Sequence, residues 1–418
     1  MYFPIYYRNN LPKSYFPSLS KGGVFSNRYV KAISAAQLIR VLGRSQAWIF
    51  IPLYLSVVRH VPYPVVGFLF FITAIISLPF SIYGGNLIDR FGRRKLALIT
   101  PPLIMLIFIV ISTLIFLGSY IYIIYVAFVM VEPLMSIQGI LDNVIITDTV
   151  KESDRTDAFG VVRIMANIGF SAGPAIGGFL SYLNYGYVFL FPALSTAAEW
   201  IIYAIYVQET PHITSLSSSG FSFPRKDTKF IIISLLIGSI FFVAGQWGTT
   251  LTLFWSRVDF ITNRAIGILY TVNGFAVVFL QMPTNVLFRR VRDSTRIAIG
   301  GLIYSFSFLA LAFFSGVVFL VIDVVAITMG ENVISPVIYS IIGKMSPPDK
   351  RGQYFGAAQL VIGLVQPIAP LAGTVLLSYF YSDPVLMWGP LAVLGIVLSY
   401  IVYLYAGRIL RSIPENGS

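Results

Sequence analysis

Seven of the ionisable side chains inside long apolar stretches of this sequence could do chemistry within a membrane. They are Arg40, Arg44, Glu132, Asp142, Glu199, Asp323 and Glu331. If these stretches cross a membrane, each such side chain costs about 3 kcal/mol at the bilayer centre and is a functional candidate by default. Arg40 and Arg44 lie one helical turn apart and therefore share a face. Paired guanidinium groups bind carboxylate or phosphate well, whereas buried acids can carry protons or bind cations.

Glu331 differs from the other acids because the apolar stretches of the second half offer it no obvious basic partner. A carboxyl group that alternates between neutral and charged forms is what proton coupling requires. The alternative is a permanently neutral, hydrogen-bonded Glu331 with a structural role. We predict proton coupling at four acids, in this order: Glu331, Glu132, Asp323 and Asp142.

The residue inventory argues against an enzyme. The chain has no cysteine, and its two histidines, His60 and His212, fall in polar connections. Thiolate chemistry and a buried histidine proton relay are therefore excluded. The sequence also lacks an HExxH or P-loop motif. We expect no catalytic residue, no cofactor and no metal.

The composition indicates a protein that lies in lipid. Of 418 residues, 57% are hydrophobic and 11% are charged, with a mean hydropathy of +0.81. Soluble domains carry about a quarter charged residues, so a chain this apolar is expected to span a bilayer. The formal net charge of +12 suits cytoplasmic loops that face anionic lipid. We expect membrane lipids, and not nucleic acid, as partners.

Twelve stretches are long and apolar enough to cross a bilayer, which takes about 20 residues. They cover 34–58, 64–84, 96–117, 120–144, 161–183, 186–207, 230–255, 265–288, 296–316, 318–342, 355–380 and 385–407. A flexible linker containing Ser-Leu-Ser-Ser-Ser-Gly divides them six and six. The predicted organisation is an N-terminal tail (1–30), a first six-helix bundle (31–207), the linker (208–228), a second six-helix bundle (229–407) and a C-terminal tail (408–418).

The distribution of basic residues predicts the orientation. Only Arg59, Arg257 and Arg264 fall in loops that connect an odd-numbered helix to the next even-numbered one. Because basic residues concentrate on the cytoplasmic side, both tails and the linker should be cytoplasmic. The first 30 residues lack the pattern of a cleaved signal peptide. We expect a multi-pass protein of the plasma membrane, from a prokaryote.

The two halves resemble each other. Glu132 and Glu331, in the fourth and tenth stretches, are 199 positions apart, and so are Asn86 and Asn285. Phe-Gly pairs also open the fifth and eleventh stretches. Three matches in the same order, at nearly the same offset, predict two pseudo-symmetric bundles with a substrate path between them.

The segment after the second stretch has a specific pattern. It reads Gly85-Asn-Leu-Ile-Asp89-Arg90-Phe-Gly92-Arg93-Arg94. This resembles the Gly-x-Leu-x-Asp-Arg-x-Gly-Arg-Arg signature of the major facilitator superfamily, in which the glycines permit a tight turn and close approach. The resemblance implies that Asp89 latches the first bundle to the start of helix 11 in the outward-facing state, with Arg93 and Arg155 as partners. Phe288 replaces the acid in the second half, so a second latch is not expected.

The fifth stretch carries a second motif. Its residues are Gly160, Gly169, Gly173, Pro174, Gly177 and Gly178. They resemble the helix-5 motif of the antiporter branch of the superfamily. Glycines let helices pack closely in lipid, and the proline bends the helix. Plain helix packing is the alternative, and it is compatible with a role in alternating access.

In the superfamily, helices 1, 4, 7 and 10 line a central cavity. The resemblance therefore implies that Arg44 and Glu132 lie at comparable depth, and we predict that they pair, with Arg40 above the cytoplasmic mouth. An ion pair that only orders the bundle is the alternative. Glu199 ranks lower because helix 6 is usually peripheral. The predicted substrate-contacting residues are Arg40, Arg44, Glu132, Glu331, Trp48, Gln246, Trp247 and Tyr339.

The leading hypothesis is a secondary transporter that works by alternating access as a monomer. It would couple protons to the export of a lipophilic cationic or neutral small molecule. The alternative is a proton-linked importer of an organic acid, sugar or other anion that uses Arg40 and Arg44, although helix 7 has no matching arginine. A less favoured alternative is a membrane receptor that keeps the fold without transporting.

Overall fold

The computed structural model describes residues 27–209, 223–257, 261–347 and 350–411. Every regular element in these ranges is a helix. The predicted fold class, an all-α membrane protein of twelve spanning helices in two six-helix bundles, is confirmed. Most of the two predicted tails and residues 210–222 of the predicted linker lie outside the described residues.

The first bundle consists of six helices. They are α1 (Arg28–Leu53), α2 (Tyr63–Phe91), α3 (Arg93–Phe116), α4 (Ile121–Thr149), α5 (Arg155–Leu183) and α6 (Tyr185–Tyr206). A π-helical turn (Tyr54–Val58) extends α1. Helix α5 begins six residues before the predicted start at 161, because its first two turns are polar and hydropathy does not mark them.

The second bundle contains nine helical segments that make six crossings. They are α7 (Thr228–Ala244), α8 (Thr249–Arg257), α9 (Asn263–Leu287), α10 (Asp293–Ala310), α11 (Val317–Met345), α12 (Arg351–Val365), α13 (Ile368–Phe380), α14 (Pro384–Ile401) and α15 (Gly407–Arg411). A 3-10 turn (Gly245–Trp247) separates α7 from α8. Pro367 precedes α13 and lacks the N–H that an unbroken helix would use. The predicted seventh and eleventh spans are therefore each broken.

In the described part of the chain, eleven of the twelve crossings are formed by helices that are long and apolar enough by themselves to span a membrane. The exception is α10, whose 18 residues include Asp293 and Arg296 in the first turn. Its burial among neighbouring helices compensates, since it packs against both α11 and α14. Elsewhere, large apolar side chains such as Leu106 and Phe279 point outward and are more than half exposed, as expected where lipid is the solvent.

Residues 85–94 were predicted to form a loop, but nearly all of them are helical. Helix α2 continues to Phe91, and Gly92 alone separates it from α3. Gly92 has a φ of +87°, which favours glycine because other side chains clash there. Gly85 lies within α2, and a methyl group at its Cβ position would meet nothing within 4 Å. Only Gly92 therefore has the turn role that was predicted for both glycines.

The two bundles contact each other through α5 with α9, α2 with α13, and α1 with α8. Close approaches occur on the side opposite the chain ends. A Cβ at Gly178 would lie 2.7 Å from the Asn263 carbonyl oxygen, and one at Gly67 would lie 2.5 Å from that of Pro370. Nearer the chain ends, Cβ positions with open space include those of Gly139, Gly160 and Gly343. The described bundles are therefore in close contact on the side opposite the chain ends, which is the outer side in the orientation predicted from the basic residues.

Candidate substrate cavity and charge clusters

Arg44 of α1 and Glu132 of α4 form the predicted ion pair. The Arg44 Nη2 atom donates to Glu132 Oε2 at 2.7 Å and to Oε1 at 2.9 Å. The side chains remain 40% and 23% exposed, respectively. The pair therefore joins the middles of two spanning helices while part of each side chain stays accessible.

Arg40 does not lie at the cytoplasmic mouth, in contrast to the prediction. Its side chain is 8% exposed and contacts two acids, Asp142 of α4 and Glu199 of α6. The Nη1 atom is 2.7 Å from Glu199 Oε1, and Nη2 donates to Asp142 and to Gln37. Burial between helices, one turn from the accessible Arg44, explains why Arg40 binds protein carboxylates here.

Glu199 is buried at a contact between helices, in contrast to the prediction that helix 6 is peripheral. One face of α6 packs against both α1 and α3, and Glu199 on that face is fully buried. Gln138 donates to its Oε1 atom at 2.8 Å, and the Tyr203 hydroxyl donates to Asp142. Glu199 and Tyr203 are four residues apart in an apolar helix, and this shared face was the available signal.

A cavity of about 320 Å³ adjoins this cluster. It lies between α1, α4 and α5 and is lined by Arg40, Asp142, Asn143 and Gln37 among others. Two members of the buried cluster, Arg40 and Asp142, therefore also border a cavity inside the first bundle.

Glu331 of α11 is half-buried in the second bundle. Its side chain is within hydrogen-bonding reach of Asn273 of α9, and its principal charged neighbour is Arg163 of α5, in the first bundle. The second bundle indeed offers no basic partner among its described residues, but the opposite bundle supplies one. Arg163 was missed because the predicted start of helix 5 at 161 placed it at the membrane edge. Asp323, also on α11, is buried beside Ser307.

Three of the four predicted aromatic and amide substrate-contacting residues, Trp48, Gln246 and Trp247, lie on the outer side. A Cβ at Gly248 would lie 2.3 Å from the Trp48 ring, and Trp247 packs 4.8 Å from Tyr270 between ring centroids. Gln246 is fully buried and donates to the Ala369 carbonyl oxygen at 3.1 Å. In this state they seal the outer side. The fourth, Tyr339, is 55% exposed and stacks on Phe355.

The predicted latch is open. The Asp89 side chain is 63% exposed, and its ion pair, at 3.0 Å, is with Arg93 in the next helix. Arg93 also contacts Asp148 at 3.1 Å, whereas Arg155 donates to the carbonyl groups of Thr147 and Val150 at the end of α4. Arg90 lies against the ring of Phe91. In the part of the chain that the structure describes, no ion pair joins Asp89 to α12.

Glu209, in the linker, has a role that sequence reasoning missed. Its carboxylate accepts hydrogen bonds from the backbone N–H groups of Arg93 at 2.8 Å and Arg94 at 3.1 Å. These are free donors at the start of α3, and a negative charge there complements the helix dipole. The linker is thereby attached to the segment that carries the latch.

The helix-5 motif has two faces. Cβ positions at Gly169 and Gly173 would each lie 2.5 Å from a carbonyl oxygen of α1, and Gly177 approaches Gln46 equally closely. On the other face, Gly178 and Pro174 approach α9 of the opposite bundle. Most of the motif therefore packs the first bundle, and its outer end packs against the second bundle. Gly160 makes neither contact.

Two six-helix bundles around a central, charge-lined space that opens on one side define a membrane transporter. The sequence comparison agrees, because the family model of the Major Facilitator Superfamily matches residues 33–259 and 235–414. The chain belongs to that superfamily.

Several curated relatives have a similar length. The uncharacterized MFS-type transporter YdeE of Escherichia coli is 24% identical, covering 84% of this chain and 89% of its own. A Na(+), Li(+), K(+)/H(+) antiporter of Planococcus maritimus is 22% identical over 83% and 90% of the two chains. The class B tetracycline resistance protein of Escherichia coli is 21% identical over 84% and 88%.

Solved structures support the same fold. A crystal structure of a peptide transporter superposes with a TM-score of 0.78 at 14% identity, covering 93% of this chain and 96% of that one. At this identity the likeness concerns the fold alone.

Proposed function

We propose that this protein is a proton-coupled exporter of a lipophilic cationic or neutral small molecule, working by alternating access as a monomer in a prokaryotic plasma membrane. The observation that carries the proposal is the asymmetry of two equivalent acids. Glu132 has an arginine in its own bundle, whereas Glu331 has its charged neighbour, Arg163, across the cavity. The similarity to a cation/proton antiporter and to tetracycline resistance proteins supports it.

Glu331 provides the exchange step. Its half-buried carboxyl group reaches Asn273, which can hydrogen-bond either the neutral or the charged form. A cationic substrate and a proton compete for the same carboxylate, because each neutralises it. Export then draws on the proton gradient and the membrane potential, which supplies about 2.3 kcal/mol per charge at 100 mV.

Anion import remains the second candidate, but the charge pairing argues against it. Arg40 contacts two carboxylates and Arg44 contacts one. An anionic substrate would therefore have to displace a protein carboxylate at either position. No enzymatic activity is proposed, and a receptor without transport would show no counterflow of solute.

A proteoliposome assay tests the proposal with two probes, tetraphenylphosphonium and tetracycline. An inwardly acidic pH gradient should drive accumulation of at least one of them in vesicles that contain the wild-type protein in inside-out orientation. Glu331→Gln should abolish this accumulation. Asp293→Asn, which changes an ion pair between the start of α10 and Lys344 near the end of α11, is the matched control. Accumulation that does not depend on the pH gradient, or that is unchanged in Glu331→Gln, would refute the proposed coupling.

A further inference from the structure

The buried cluster of the first bundle contains more acids than bases. Arg40 contributes one positive charge, whereas Asp142 and Glu199 together contribute up to two negative charges. All three side chains are at most 8% exposed. In surroundings of low dielectric, two carboxylates that share one cation do not readily both ionise. We propose that this cluster binds one exchangeable proton and that Glu199 holds it.

The hydrogen bonds distinguish the two acids. Both carboxylate oxygens of Asp142 have donors, one from Arg40 and one from the Tyr203 hydroxyl. In Glu199, Oε1 accepts from Arg40 and Gln138, but Oε2 is buried without a hydrogen-bond partner among the described residues. A buried carboxylate oxygen without a donor is costly in the ionised form. Proton binding at Glu199 Oε2 removes that charge, so the pair is best satisfied as ionised Asp142 and neutral Glu199.

The charged groups that act on Glu199 come from its own helix and from two neighbours. They are Arg40 of α1, Asp142 of α4 and Tyr203 of α6. Helix α3 also packs against α6, but its charged residues lie in its first turn, whereas Trp200, next to Glu199, contacts the Leu98 carbonyl oxygen beyond that turn. Helix α5 contributes no charged contact to Glu199 among the described groups. The proton balance of the cluster is therefore set within α1, α4 and α6.

The cluster also has a route for protons. Asp142 and Arg40 line the cavity of about 320 Å³ between α1, α4 and α5. A proton that enters there meets Asp142 first and reaches Glu199 by way of the Tyr203 hydroxyl, which hydrogen-bonds Asp142 and is within reach of Glu199, because the Arg40 guanidinium has no lone pair that could accept a proton. Because all members belong to one bundle, the proton moves with that bundle when access alternates. This inference rests on the proposed proton coupling and adds a second proton site, separate from Glu331.

Infrared difference spectroscopy tests for the proton without requiring transport. Spectra of the purified protein at mildly acidic and alkaline pH are compared in the Glu331→Gln background, which removes the cavity acid. We expect a protonated-carboxyl band that is lost at alkaline pH, is missing when Glu199→Gln is added, and is retained when Asp293→Asn is added instead. Tyr203→Phe, which removes a donor from Asp142, should shift the loss of the band toward higher pH. A band that is identical with and without Glu199→Gln would overturn the inference.

Transport measurements then test whether the proton is exchanged. In proteoliposomes, Glu199→Gln should keep counterflow of labelled tetraphenylphosphonium or tetracycline but lose the accumulation driven by a pH gradient. Full gradient-driven accumulation by Glu199→Gln would overturn the inference while leaving the proposed function intact. If wild-type protein itself fails to respond to the gradient, the proposed function fails, and the infrared comparison still decides whether Glu199 holds a proton.

Discussion

Arg44 and Glu132 join α1 to α4 through two hydrogen bonds from a single guanidinium nitrogen, at 2.7 and 2.9 Å. One turn away, Arg40 is buried between two acids. The two arginines share a helix face, yet only Arg44 is accessible. The first bundle therefore separates a charge pair open to ligands from a cluster that is shielded from them.

We predict that the Arg44–Glu132 pair affects transport more than folding. Glu132→Gln or Arg44→Gln should lower the free energy of unfolding by only about 1 kcal/mol, because partly exposed pairs are screened by solvent. Substrate counterflow should fall much more than the stability does. Thermal unfolding and counterflow on the same preparations check this.

The double variant Arg44→Gln with Glu132→Gln is the control for that prediction. If the pair only orders the bundle, restoring neutrality should restore counterflow as well as stability. Counterflow that stays low while stability recovers supports a role at the cavity.

Gly178 and Gly173 should respond differently to added side chains. A Cβ at Gly178 would lie 2.7 Å from the Asn263 carbonyl oxygen, across the seam between the bundles. Gly178→Leu should therefore oppose outer closure and shift the population toward the outward-facing state. Gly173 packs against α1 inside one bundle, at 2.5 Å from the Leu42 carbonyl oxygen, so Gly173→Leu should destabilise both states.

Cysteine labelling can measure this shift, since the chain has no native cysteine. With Tyr339→Cys as the reporter on the open cytoplasmic side, Gly178→Leu should slow its labelling, whereas Gly173→Leu should lower the unfolding temperature. Equal labelling rates in wild type and Gly178→Leu would show that the α5–α9 seam does not control access.

Asp89 should matter only after the cytoplasmic side closes. In this structure its carboxylate is 63% exposed and contacts Arg93 alone among the described charged groups, so Asp89→Asn should leave the inward-facing state nearly as stable as before. Loss of the predicted latch to α12, which begins the eleventh crossing, should instead lower the population of the outward-facing state. We expect faster labelling at Tyr339→Cys and slower substrate exchange, with Asp293→Asn unchanged in both. Slower labelling at this position would contradict the latch.

The sequence predicts residues of a cavity best where hydropathy and a family motif agree. Glu132 and Arg44 are single charges at the middle of clear apolar stretches, so their helices and their depth followed directly. Glu199 was ranked too low because its importance depends on which face of α6 packs inward, a tertiary property. Arg163 was missed because it is the third residue of the predicted span 161–183, at the membrane edge, and because its nearness to Glu331 of the other bundle is a tertiary property. The breaks after Ala244 and Val365 are equally invisible, since broken helices remain apolar on average.

The positive charge of Arg163 should weaken the binding of a cationic substrate, and this can be tested by substitution. Arg163 is the principal positive neighbour of Glu331, and its own side chain is exposed. A cationic substrate that approaches Glu331 is repelled by this guanidinium, so Arg163→Gln should strengthen binding of tetraphenylphosphonium by about 1 kcal/mol, or roughly fivefold, at low salt. The gain should shrink as ionic strength rises, because salt screens exposed charges. Lys350→Gln, which removes the same charge at the start of α12 and outside the cavity, should not change affinity. If Arg163→Gln instead weakens binding, Arg163 contacts the substrate itself, and an anionic group on the substrate becomes the better explanation.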